Sequence, residues 1–191
     1  MRTFSHVALA VGRGEGPLAA RLLSHLGLAV NDNGPSLLGD PWYTAIVDEA
    51  TYGGGLEHLG FFVVPVSDAQ VELERTIAGT PAAEALMAEK RRKPDSSSHV
   101  ALAYESLDTL EQAVTALLAD AELHGRVDVL RFRPEEATPA IEARLDGSPV
   151  YADATRVRYL ADGVQAFVQT DVVSAGLLSV GQSFELNHTF S

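Results

Sequence analysis

The chain has 191 residues, 46% of them hydrophobic and 21% charged, with a formal net charge of −12 and no cysteine. That balance belongs to a folded chain of one domain or two small modules, and its acidic field repels nucleic-acid backbones and anionic membranes. The absent thiols exclude disulfides, thiolate metal sites and cysteine nucleophiles, so any metal is left to His, Asp, Glu and water.

The first predicted strand is FSHVALAV, Phe4–Val11, with Phe4, His6, Ala8 and Ala10 on one face and Val7, Leu9 and Val11 on the other. GRGEGP breaks it, and Pro17 opens the helix PLAARLLSHLG, whose Leu18, Leu22 and Leu26 recur at helical spacing and which stops at Gly27. LAVNDNG and WYTAIVDEA are short strands bounded by turn residues, and TYGGG leads into a further strand, LEHLGFFVVPV. Ser67 caps a helix from Asp68 to Ile77, and AEALMAEKRRK is helical up to the linker PDSSS. The four cations Lys90, Arg91, Arg92 and Lys93 sit where a helix C-terminus favours positive charge.

The pattern then restarts. Ser98–Glu105 is a strand, and Ser106 caps the helix LDTLEQAVTALLADAELHG, with Leu107, Leu110, Val114 and Leu117 on one face and Gly125 at its end. RVDVLRFRP follows as a strand, and 134–154 reads as a long loop or irregular segment, a place for function or for an interface. TRVRYLADG, VQAFVQTDVV and LSVGQSFELNHTF are the closing strands.

Each half thus reads β-α-β-β-β, residues 1–66 and 98–191, joined by a helical connection and linker over 67–97. Short β connections imply mostly antiparallel sheets, and one helix per sheet leaves an inner face to cover. The predicted class is α+β: paired βαβββ modules curled around a shared cleft. No signal-peptide pattern opens the chain, and no run of about 18 apolar residues occurs. A cytoplasmic protein is expected, a homodimer without nucleic-acid or membrane partners, with 134–154 available as the interface element.

The two opening strands are near copies, FSHVALAV and SSHVALAY. In both, bulky residues take the face that a helix would cover, whereas His6 sits beside Ala8 and Ala10, and His99 beside Ala101 and Ala103. Small residues next to a histidine leave volume that a packed core avoids. This is the wall of a cavity with a polar group at its rim.

FSHVALAV…LLSHLGLAV and SHVALAYESLDTLEQAVTALL resemble the two half-motifs of the vicinal oxygen chelate superfamily, which includes glyoxalase I, extradiol dioxygenases and bleomycin-binding proteins. The resemblance covers most of the chain apart from 80–97 and 134–154. It implies a divalent metal, iron, manganese, nickel or zinc, bound by a histidine on the first strand of each module and a glutamate on a last strand. By position the histidines are His6 and His99. The family's glutamate stands four residues beyond an Asp-Gly turn; after Asp162–Gly163 that place holds Phe167, whereas Gly181 is followed at the same spacing by Glu185. Glu185 is therefore the candidate carboxylate, with Gln169 the alternative.

Glu57 and His58 are candidates for a fourth ligand or a catalytic base, and only one of the two can face the cleft from a strand. Trp42, Tyr43, Phe61 and Phe62 alternate, so about half can line a pocket. His25 and His124 read as structural or solvent-facing, and His188 lies on the face opposite Glu185. A P-loop, a dinucleotide fingerprint and a nucleophile elbow are all missing. The resemblance implies a metal-dependent lyase, isomerase or dioxygenase acting on a small oxygenated substrate. The alternative is a metal-free small-molecule-binding protein of the same fold, serving sequestration or resistance; a third reading is a dimerising interaction domain.

Overall fold

Strand β1 (His6–Val11) buries Leu9 and Val11 and leaves His6 and Ala8 open, because helix α1 (Gly16–His25) covers only one face of its sheet. The computed structural model describes residues 6–47, 60–94, 99–174 and 182–190. Over these residues the chain is α+β, with five helices and two mixed sheets. None of the described helices is long and apolar enough to cross a membrane.

Two compact units divide the chain: Met1–Arg92 with Asp171–Gln182, and Lys93–Thr170 with Ser183–Ser191. In the first, β1 is followed by α1, β2 (Ala29–Pro35), β3 (Pro41–Ile46) and β4 (Gly60–Pro65). The sheet order is β2-β3-β4-β1, with β1 and β4 parallel and the other two pairs antiparallel. Alternation decides the aromatics. Tyr43 and Phe61 are buried with Ala45, Val63 and the α1 residues Ala19, Leu22 and Leu23, while Trp42 and Phe62 lie on the open face with His6. Helices α2 (Asp68–Ile77) and α3 (Pro81–Arg92) carry no buried residue; the Ser67 hydroxyl accepts from the Gln70 amide as the N-cap of α2.

The second unit contains β5 (His99–Ala103), α4 (Leu107–Ala119), β6 (Val127–Pro134), α5 (Pro139–Asp146), β7 (Thr155–Val157), β8 (Gly163–Thr170) and β10 (Gln182–Thr189). Between β8 and β10 the chain leaves this sheet, and β9 (Val173–Ser174) pairs antiparallel with β1. The second sheet runs β5-β10-β8-β6-β7. Leu102, Ala166, Val168, Phe184 and Leu186 form its buried face, on the side of the α4 stripe Leu110, Ala113, Val114 and Leu117. The opposite face carries His99, Glu185, Gln165 and Phe167.

Four features depart from the sequence reading, the first being that VQAFVQTDVV, read as one strand, divides into β8 and, in the other sheet, β9. The segment 134–154 contains helix α5, because Thr138 accepts from the Ile141 amide as N-cap and Pro139 fits the first turn. Helix α4 stops at Ala119 rather than near Gly125, since Asp120 turns to extended backbone and its carboxylate takes the Glu122 amide. TRVRYLADG shrinks to the three-residue β7.

Segment 134–154 is locked to its unit by charge. Arg133, 1% exposed, donates to the Tyr151 and Ala152 carbonyls and to the Asp146 and Glu142 carboxylates. Arg144 reaches back to Asp108 and Glu111 on α4, and Glu111 also accepts from the Ser148 hydroxyl.

Close approach of β8 to β10 depends on Gly163, where a Cβ would stand 2.8 Å from the His188 carbonyl oxygen. Gly163→Ala is expected to destabilise the chain by about 1–3 kcal/mol through overpacking. Urea unfolding of the two proteins checks it, and equal midpoints would refute it.

Candidate functional site

Strand β10 lies between β5 and β8, so a side chain on its open face has neighbours on both sides. β5 and β10 are parallel, with Ser183 opposite His99 and Glu185 opposite Ala101, which places the histidine and the glutamate on one face. His99 Nε2 stands 2.9 Å from Glu185 Oε2, with the ring 26% and the carboxylate 12% exposed. An ionised carboxylate only accepts, so in this pair Nε2 carries the imidazole proton.

The other carboxylate oxygen is held as well. Gln165 Nε2 on β8 donates to Glu185 Oε1 at 2.6 Å, and Asn187 Nδ2 donates to the same oxygen at 3.3 Å. Phe167 meets the His99 ring edge-on at 5.8 Å between centroids, and Phe132 on β6 meets Phe167 at 5.9 Å. The result is a half-buried His–Glu pair with amides behind the carboxylate and an aromatic wall beside the imidazole.

The structure therefore brings two of the sequence-predicted ligands together, His99 and Glu185. Phe167, which follows the Asp162–Gly163 turn at the spacing read for a carboxylate, lies on β8, and β10 with Glu185 stands between β8 and β5. Gln169 shares the Phe167 face of β8 and lies opposite Asp128 on β6. His188 is on the far side of β10, its Nδ1 3.0 Å from the Tyr104 carbonyl oxygen. Tyr104 follows β5 on that same far side, and burial pushes its phenol up to about 12, so it stays protonated at neutral pH.

In the first unit His6 is exposed and stacks on Phe62 with ring centroids 4.1 Å apart and planes 9° apart, while Trp42 meets Phe62 edge-on at 5.5 Å. His6 is thus exposed beside aromatic rings. Glu57 and His58 lie outside the described residues. His25 is half-buried on α1 and His124 is exposed. The sequence reading missed Gln165, Asn187 and Phe132. The signal for Gln165 was present: two glutamines four residues apart, and so on one face of the strand, interrupt the apolar run VQAFVQ.

Imidazole nitrogen and carboxylate oxygen are the donors that zinc, iron, nickel and manganese accept. The 2.9 Å between His99 Nε2 and Glu185 Oε2 is the length of an N–H···O hydrogen bond, and the ring nitrogen would have to give up its proton before it could ligate an ion. Among the described residues, no group of three His, Asp or Glu is placed to hold a metal ion. His99 and Glu185 are two donors of a chemistry that such ions accept. Compared with known proteins, the chain matches no family model and has no significant match among curated sequences.

Proposed function

We propose that this chain is a metal-dependent enzyme of the glyoxalase/dioxygenase type, a lyase, isomerase or dioxygenase acting on a small oxygenated substrate. In this reading two βαβββ modules curl their sheets around a shared cleft, as in the vicinal oxygen chelate superfamily that the paired strands resemble. His6, His99 and Glu185 hold the divalent metal, and Glu57 or His58 supplies a fourth ligand or a base. One observation carries the reading: His99 and Glu185, singled out by a repeated strand and a turn spacing, meet at 2.9 Å on one face of their sheet.

Bound there, a divalent cation with open positions supplies Lewis acidity toward a substrate carbonyl or enediol. The chain's own residues prepare that place. Gln165 and Asn187 hold Glu185 by one oxygen, the Phe167 and Phe132 rings exclude water from one flank, and Ala101 and Ala103 leave volume beside His99.

A second reading has a specific observation behind it. Both Glu185 oxygens already accept hydrogen bonds, so the pair is satisfied without an ion, as a metal-free protein that sequesters a small aromatic molecule requires. Elemental analysis of protein purified without chelator separates the two. The enzyme reading expects near-stoichiometric iron, manganese, nickel or zinc that is lost in His6→Ala; metal-free protein with saturable binding of an aromatic ligand would replace it with the second.

A further inference from the structure

We infer that Gln165 is a positioning residue, whose amide fixes the Glu185 carboxylate so that a single oxygen, Oε2, faces His99. The metal arm of this inference rests on the function proposed above, and the hydrogen-bond arm does not.

A glutamate on a strand can rotate about three side-chain bonds, and its two oxygens are equivalent until something distinguishes them. Here Gln165 Nε2 takes Oε1 at 2.6 Å from β8, and Asn187 Nδ2 adds a longer contact of 3.3 Å from β10 itself. The amide can be oriented in only one way. Turned over, Gln165 would set its carbonyl oxygen against a carboxylate that accepts but does not donate.

The position also carries a stability cost that packing alone does not explain. Gln165 sits between Val164 and Ala166, both buried, and its Oε1 is itself buried with no hydrogen-bond partner among the described residues. An unsatisfied buried acceptor is unfavourable, and an apolar side chain of the same shape would avoid it. A glutamine here is explained by what its other atom does, which is to hold Glu185. Partners of ligating carboxylates act in this way on metal sites, tuning affinity through orientation.

The test compares the full chain with Gln165→Met, which keeps the length of the side chain and removes the donor. The first measurement is calorimetric titration of chelator-stripped protein with manganese or zinc. The second is the solvent-protected imidazole N–H resonance of His99 in histidine-labelled, metal-free protein. The expected result is about ten- to hundredfold weaker metal binding and loss of the protected signal. Unchanged affinity would overturn the inference and leave the metal site standing. If the unaltered chain binds no metal, the proposed function fails and the resonance alone decides: lost in Gln165→Met, it supports the clamp; retained, it overturns it. An unaltered chain that shows neither binding nor a protected signal also overturns it. Should Gln165→Met not fold, Gln165→Leu is read in the same way.

Discussion

Chelator-stripped Glu185→Gln protein is expected to bind manganese or zinc at least on the order of a hundredfold more weakly than the unaltered chain, the upper end of what losing an outer-shell partner costs. The substitution preserves shape and removes the charge and one oxygen donor. It also turns an acceptor that three groups address into a mixed amide. Gln165, Asn187 and His99 all donate to Glu185, so an amide NH2 placed at either oxygen position opposes one donor set. His99→Ala should weaken binding comparably while sparing the fold, since the ring is 26% exposed. Calorimetric titration gives both affinities, and thermal unfolding shows whether the folds survive. Unaltered affinity in folded Glu185→Gln protein would remove the carboxylate from the site.

Arg133→Met is expected to be the most damaging substitution away from the site, at about 3 kcal/mol. The guanidinium is buried and donates to two backbone carbonyls and two carboxylates, so its removal leaves the Tyr151 and Ala152 carbonyls without this donor and a volume to refill. Asp146 and Glu142 are partly exposed and can rehydrate, which keeps the loss below that of a fully buried ion pair. Arg133→Lys should recover little, because one ammonium cannot span the fork of acceptors that a planar guanidinium reaches. Urea unfolding monitored within the second unit measures this, and a shift within error would show that 134–154 is held by other contacts.

Period-2 alternation made much of the local structure legible. His6 and Ala8 against Leu9 and Val11 separated the exposed from the buried face correctly. Caps were equally readable: Ser67 and Ser106 start the helices they were expected to start. Thr138 and Pro139 carry the same signal inside a stretch rich in Ala, Glu and Pro, whose order comes from long-range arginine contacts rather than from periodicity. The meeting of His99 with Glu185 depended on strand order. Alternation fixes which side of β10 Glu185 takes, but only the β5-β10-β8 arrangement makes His99 and Gln165 its neighbours. Gln165 and Asn187 went unnoticed because a carboxylate's hydrogen-bond partners leave no spacing of their own in a sequence.

The proposed function has one ion shared by His6, His99 and Glu185, and diffraction from crystals of the full chain grown with manganese or zinc tests that proposal most directly. Anomalous scattering is expected to show one peak per chain, about 2.0–2.2 Å from a ring nitrogen of each histidine and from Glu185 Oε2. A peak elsewhere, or His99 and Glu185 still bonded to each other with no ion beside them at saturating metal, would contradict it.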